Sequence, residues 1–101
     1  MAKTLEQIKV YVIKLRRDLD PLLEGKGLGY DSMGRMFDNI SSCSDKRSAL
    51  SYFAEIRRLV QTIIYSLESA ANRGNQEPRY KGLHFKLKPF LIKIDTFMSE
   101  C

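Results

Sequence analysis

One apolar pattern constrains the fold of this chain more than any other feature. Between residues 49 and 70, apolar side chains recur at alternating steps of three and four residues, which places them on one face of an α-helix. The stripe consists of Ala49, Phe53, Ile56, Val60, Ile63, Leu67 and Ala70, widened by Leu59 and Ile64. We predict a long helix, the third in chain order, that ends near Asn72, with Gly74 in the left-handed conformation that terminates helices.

Two further stripes precede this helix. Thr4 and Gln7 have the spacing of a capping box, and the apolar face that follows is Leu5, Ile8, Val12, Leu15, Leu19 and Leu22. Pro21 is expected to kink or end this first helix. A short second helix, capped by Asp31 or Ser32, has the stripe Met33, Met36, Phe37 and Ile40. Ser44 or Asp45 is expected to cap the third helix.

A fourth helix follows, although Gly82 and Pro89 interrupt its pattern. Its apolar positions are Tyr80, Leu83, Leu87, Phe90, Ile94 and Phe97, with Leu91 and Met98 beside them. We predict one kinked helix rather than two separate pieces. Four amphipathic segments with short connections predict an all-α protein, an antiparallel four-helix bundle in which residues 1–101 form a single domain.

Composition and targeting signals bound the location. The longest uninterrupted apolar runs are 10–13 and 90–92, far short of the ~20 residues of a membrane-spanning helix. The first residues, "MAKTLEQIKV", lack the continuous apolar region of an export signal. We therefore expect a cytoplasmic protein, in which Cys43 and Cys101 are free thiols.

The positive charge is concentrated in residues 73–93, here called the basic segment. It contains six of the 17 Lys and Arg residues but one of the 12 Asp and Glu residues, a difference equal to the net charge of +5. On a helical wheel, Phe85 and Ile92 fall nearly opposite the core stripe of the fourth helix. Four lysines frame this pair, Lys81 and Lys88 on one side and Lys86 and Lys93 on the other.

Two interpretations of this pattern are open. In one, the lysines only solvate an exposed helix, and Pro89 resets the register so that Phe85 turns back to the core. In the other, the face is a contact surface, suited to an anionic membrane or to the cytoplasmic face of a membrane protein. The partner-binding residues predicted by the second interpretation are Arg73, Arg79, Lys81, His84, Phe85, Lys86, Lys88, Ile92 and Lys93.

Catalytic chemistry has little support in the sequence. His84 is the only histidine and is expected on the surface rather than in an active site, because no Ser or Cys pairs with it in a recognised motif. No phosphate-binding loop or metal-ligand cluster appears, so we expect no catalytic residue, metal or cofactor. The first helix, "LEQIKVYVIKLRRDLDPLL", is similar to that of the small all-helical chorismate mutases, but the other polar residues of their active site have no counterparts here.

Nucleic-acid binding is the main alternative, as a small basic helical regulator. Clustered Lys and Arg side chains supply affinity for phosphate. The chain has no helix-turn-helix spacing and no aromatic RNA-binding motif, so nucleic acid is not the expected partner.

A family resemblance gives a more specific expectation. From "RSALSYFAEIRRLVQTIIYSLESAA" to "YKGLHFKLKPFLIKIDTF", the chain resembles the immunity proteins that protect Gram-positive bacteria from pediocin-like (class IIa) bacteriocins, of the enterocin A immunity type, with a streptococcal member as one candidate. The resemblance implies an antiparallel, non-enzymatic four-helix bundle in the cytoplasm that confers resistance to the bacteriocin, and we expect a monomer. It also implies that the protein recognises the mannose phosphotransferase permease, a membrane sugar transporter, once bacteriocin has engaged it, and keeps the pore closed, with specificity residing largely in the C-terminal half. Peripheral contact with the anionic inner face of the membrane is compatible with this role.

Overall fold

Four α-helices account for most of the chain in the computed structural model, which describes residues 2–101. They are α1 (Leu5–Leu23), α2 (Tyr30–Ser41), α3 (Lys46–Asn72) and α4 (Leu83–Ser99), and a short 3-10 turn (Pro78–Tyr80) precedes α4. No β-strand occurs between residues 2 and 101. The prediction of an all-helical protein with four helices is therefore confirmed. None of these helices has the length and apolar character needed to span a membrane.

The first turn of α1 has the predicted capping box. Thr4 Oγ1 accepts the Gln7 N–H at 3.2 Å, and Gln7 Oε1 accepts the Thr4 N–H at 2.8 Å. The helix does not end at Pro21, however, but continues to Leu23. Because Leu23 lies four residues after Leu19, it continues the stripe and is buried, whereas the predicted core residue Leu22 is half-buried.

The start of α2 differs from the prediction. Its N-cap is Gly29, with φ of 79°, and Asp31 and Ser32 lie inside the helix rather than capping it. A left-handed residue turns the chain sharply into the helix, and glycine adopts this conformation without a steric cost. The Ser32 N–H closes the turn on the Gly29 carbonyl at 3.1 Å. The buried residues of α2 are the predicted Met33, Phe37 and Ile40.

The long helix α3 forms as predicted and contacts each of the other three helices. Asp45 caps it by accepting the Ser48 N–H at 2.9 Å. At the other end, Gly74 has φ of 73° and donates its N–H to Ala71, while the Asn75 N–H reaches the Ala70 carbonyl at 2.8 Å. These two bonds satisfy carbonyls that the helix end leaves without partners. The stripe is buried at every position except the half-buried Ala70 and Leu59.

Aromatic stacking joins the first, third and last helices at one side of the core. The Phe53 ring centroid lies 5.9 Å from that of Tyr11 and 5.8 Å from that of Phe97, and the Tyr11 and Phe97 centroids are 4.0 Å apart. Near this stack the two ends of the chain meet, since the Lys3 N–H donates to the Glu100 carbonyl at 3.1 Å.

Two interruptions shape α4. Gly82, with φ of 72°, is its N-cap, so the predicted stripe residue Tyr80 lies in the preceding 3-10 turn, where its hydroxyl donates to the Lys26 carbonyl. Pro89 lies inside the helix, which is bent by 34°. Proline has no N–H for the carbonyl four residues earlier, and its ring displaces that carbonyl. The predicted kinked helix is confirmed.

Candidate partner-binding surface

The bent helix α4 has one buried and one exposed apolar face. Leu83, Leu87 and Ile94 are buried in the core. On the opposite side, Phe85 and Ile92 are 67% and 68% exposed. Pro89 therefore does not turn the Phe85 ring inward. The two residues are separated by seven positions, which keeps them on the same side of the helix.

The four lysines predicted to frame this pair are all exposed, namely Lys81, Lys86, Lys88 and Lys93. Lys81 lies outside α4, however, as the C-cap of the 3-10 turn, so the wheel of α4 does not place it. The Lys88 ammonium lies 5.6 Å from the Phe85 ring centroid and pairs with Glu68 Oε1, a buried carboxylate oxygen of α3, at 2.5 Å. The Lys93 ammonium lies 5.5 Å from the Phe90 ring centroid. Both arrangements put a positive charge beside an aromatic ring, a favourable contact for a cation.

The two predicted arginines lie outside α4, and both are exposed. Arg73 is the C-cap of α3, and Arg79 lies in the 3-10 turn. The Arg79 guanidinium donates to Glu77 at 2.8 Å, and this hydrogen bond raises the pKa of the arginine. The same guanidinium lies 4.6 Å from the Tyr80 ring centroid. Arg79 is thus already engaged with its own neighbours.

The prediction of a surface His84 is wrong. Its side chain is 7% exposed, and the Nδ1 atom has no hydrogen-bond partner within residues 2–101. His84 precedes Leu91 by seven positions and so lies on the flank of α4 that packs against α3. This histidine is part of the helix interface and does not belong to the contact surface.

Sequence reasoning missed Tyr65, the most exposed large apolar side chain on α3. It is 71% exposed and shares a groove between α3 and α4 with Ile92. The groove, here called the α3/α4 groove, is lined by Gln61, Ile64, Tyr65, Glu68, Lys88, Leu91 and Ile92. Tyr65 lies outside the apolar stripe of α3. A large aromatic residue outside the core pattern is the sequence feature that could have predicted its exposure.

Hydrogen-bonded pairs order the polar border of this groove. Arg57 of α3 binds the Asp95 carboxylate through two nitrogens, one of them Nη2 at 3.2 Å from Oδ2. This hydrogen bonding lowers the pKa of Asp95. The remaining nitrogen, Nη1, donates to Gln61 Oε1 at 3.0 Å. Arg57 therefore holds the Gln61 side chain in place while it ties α3 to α4.

Comparison with known proteins adds no assignment. No protein-family model, no curated protein and no solved structure matches the chain. Within residues 2–101, no group of three His, Cys, Asp or Glu side chains is arranged to hold a metal ion. The surface at α4 and the α3/α4 groove can offer apolar contact and positive charge to a partner.

Proposed function

We propose that this protein is a non-enzymatic bacteriocin immunity protein of Gram-positive bacteria. In this role it binds the mannose phosphotransferase permease once a pediocin-like bacteriocin has engaged it, and it keeps the pore closed. The single observation that carries the proposal is the exposed pair Phe85 and Ile92, framed by lysines on the outer face of a helix whose inner face fills the core. The resemblance of the C-terminal half to immunity proteins supplies the identity of the partner.

The combination of an exposed apolar pair with neighbouring lysines supports a binding role over simple solvation; exposure alone does not, since Val10 and Ile13 of α1 are exposed as well. A small domain needs most of its apolar residues for its core. An exposed aromatic and an exposed aliphatic residue on one face, among positive charges, suit an interface in which the apolar groups supply contact area and the charges select an anionic partner. The same face can touch the anionic inner surface of the membrane beside the transporter.

The proposal includes an antiparallel four-helix bundle formed by a single domain. Two ion pairs support the antiparallel arrangement of α3 and α4. Arg57, near the middle of α3, pairs with Asp95 late in α4, whereas Glu68, later in α3, pairs with Lys88 earlier in α4. The numbering therefore runs in opposite directions along the two helices. The Tyr11–Phe97 stack closes the bundle between its first and last helices.

The location follows from the role. We propose that the protein works as a monomer in the cytoplasm and meets the transporter at the inner face of the membrane. Repulsion between two copies of the basic segment disfavours self-association through this face.

Expression in a bacteriocin-sensitive strain, followed by challenge with a panel of pediocin-like peptides, tests the proposal. The wild type is expected to protect against at least one peptide. Replacing Lys81, Lys86 and Lys93 together by glutamine should abolish protection with little change in melting temperature, because exposed charges without an ion-pair partner contribute little to stability. Lys88 is kept, since it pairs with a buried carboxylate oxygen of Glu68. Full protection by this triple-lysine variant would reduce the basic segment to a solubilising surface.

The matched apolar test uses Phe85→Ala, with Ile13→Ala on α1 as the control, since Ile13 is also exposed, at 59%. Loss of protection with the first variant and retention with the second is expected. An electrophoretic shift assay addresses the nucleic-acid alternative. Tight binding of DNA or RNA at physiological salt, together with no protection in cells, would replace the immunity proposal by a regulatory one.

A further inference from the structure

The α3/α4 groove is the most developed concave apolar surface next to the basic segment. Its apolar floor is Ile64 and Leu91, which are buried and half-buried, and Tyr65 and Ile92 rise beside it on opposite helices. The volume of the groove is ≈ 430 Å³.

Two polar contacts border the groove. Glu68 and Lys88 pair with each other across it, and Arg57 donates to the Gln61 side chain. These polar side chains therefore already have partners within the protein. Tyr65 and Ile92 remain exposed and can pack onto an apolar ridge.

Positive charge without an internal partner lies beyond the α4 side of this groove. Lys86 and Lys93 form no ion pair with any carboxylate of residues 2–101. By helical spacing they lie past Ile92, on the side of α4 away from the groove-lining Lys88, which is neutralised by Glu68. The groove is thus apolar at its centre, with positive charge past its α4 edge. Its complement is an apolar ridge with negative charge on one flank.

We propose that the α3/α4 groove receives an amphipathic α-helix of a partner protein, with apolar side chains at i, i+3, i+4 and i+7 and acidic residues on the flank that meets α4. Such a helix presents a ridge that can enter a groove between two helices. The inference rests on the proposed function, because it names the chemistry of the partner segment that this side of the protein binds.

The shape and charge of the surface favour a partner helix over two other occupants, a lipid bilayer and a second copy of this chain. A flat bilayer would meet the protruding Tyr65, Phe85 and Ile92 but would leave the floor of the groove, Ile64 and Leu91, without contact. A second copy of this chain would bring another basic segment against the first, which like-charge repulsion opposes. A helix with one acidic flank meets neither obstacle.

The direct test uses the full-length 15N-labelled protein and a designed helical peptide with a leucine ridge and glutamates along one flank. The matched probe has lysine in place of every glutamate, and vesicles of phosphatidylcholine and phosphatidylglycerol form a third arm. The acidic peptide is expected to shift the amide signals of residues 61–68 and 88–92, with affinity about tenfold or more above that of the basic peptide. Absence of binding, equal binding of both peptides, or shifts of these signals by vesicles alone would overturn the proposal.

Variants then locate the contact. Tyr65→Ala and Ile92→Ala are each expected to weaken binding of the acidic peptide about tenfold or more, as aromatic and aliphatic anchors at an interface do. Ile13→Ala, the exposed control on α1, should bind as the wild type does. Because all three side chains are mostly exposed, melting temperatures should fall by only about 4–8 °C or less, so that binding measured well below the melting transition separates lost binding from lost folding. Unweakened binding by both groove variants would show that the peptide binds elsewhere.

Cell protection distinguishes the failure of this inference from the failure of the proposed function. Tyr65 lies outside the basic segment, and Lys81, Lys86 and Lys93 do not line the groove, so Tyr65→Ala tests the groove separately from these lysines. Full protection by Tyr65→Ala, alongside loss of protection by the triple-lysine variant, would remove the groove from the mechanism and leave the immunity role intact. A wild type that protects no cell yet binds the acidic peptide in the groove would refute the immunity role and leave the groove as a binding site.

Discussion

The same substitution at two phenylalanines tests whether the core and the outer face are correctly separated. Phe53 is fully buried and packs against both Tyr11 and Phe97, whereas Phe85 lies on the outer face of α4. A buried phenylalanine removes about 150–250 Å² from water. At about 25 cal/mol per Å², its burial contributes about 4–6 kcal/mol as an upper estimate. Phe53→Ala is therefore expected to destabilise by about 3–5 kcal/mol, the range observed for such core truncations.

The expected cost at Phe85 is much smaller. This side chain buries about a third of its surface, so truncation loses about 1–2 kcal/mol of burial. Alanine is the better helix former by about 0.5 kcal/mol, which leaves a net loss of about 1 kcal/mol. Urea titrations followed by circular dichroism measure both free energies. In thermal melts, 1 kcal/mol corresponds to about 4–8 °C for a domain of this size, so Phe53→Ala should lower the melting temperature by about 12 °C or more.

Equal losses of stability in the two variants would refute the reasoning. That result would mean that the Phe85 ring packs into the core in solution, in which case the apolar contact surface on α4 does not exist. A loss at Phe53 below about 1 kcal/mol would instead show that the aromatic stack is not part of the core.

Two further predictions concern a helix end and an ion pair. Gly74→Ala should destabilise by about 1 kcal/mol, because alanine is strained at φ of 73° even though a Cβ there would meet no other atom. Gly34→Ala inside α2 should stabilise by a similar amount. The urea midpoints of the two variants should therefore move in opposite directions. Arg57 lowers the pKa of Asp95 in the folded state, so the unfolded state binds more protons. The contribution of this ion pair to stability is therefore present above the unfolded pKa of about 3.9, and it is lost as the pH falls through the folded pKa. The urea midpoint of the wild type should consequently decrease more between about pH 5 and about pH 2 than that of Asp95→Asn, and an identical decrease in both would contradict the assignment.

The apolar periodicity of the sequence predicted most of the fold. The α3 stripe and its end at Asn72 follow from local rules. A three-four apolar repeat indicates an amphipathic helix, and a glycine shortly after the repeat indicates where the helix ends. The kink of α4 at Pro89 likewise follows from the chemistry of proline. The start of α2 was predicted wrongly because a left-handed glycine and a capping side chain are competing ways to enter a helix, and Gly29 prevails here.

The candidate surface was less predictable than the fold. Phe85 and Ile92 could be placed outward from the wheel of α4 alone, because one helix determines their direction. His84 and Tyr65 depend on where α3 lies beside α4, and a single-helix wheel contains no such information. The neighbouring helix buries His84 and makes Tyr65 one side of a groove. Residues at the seam between two helices are therefore the ones that periodicity assigns least well.

The proline of α4 also affects the main chain of the outer face. Because Pro89 has no N–H, the Phe85 carbonyl lacks the α-helical donor that it would otherwise have four residues later. The Phe85 carbonyl is thus a backbone hydrogen-bond acceptor on a face whose lysine side chains offer only ammonium donors. Lysine ammonium groups attract negative charge from many directions, whereas a carbonyl accepts from a narrow range of directions. An incoming segment with an N–H or hydroxyl at this position would be fixed in register along α4, so the bend can add directional selectivity that charge alone does not provide.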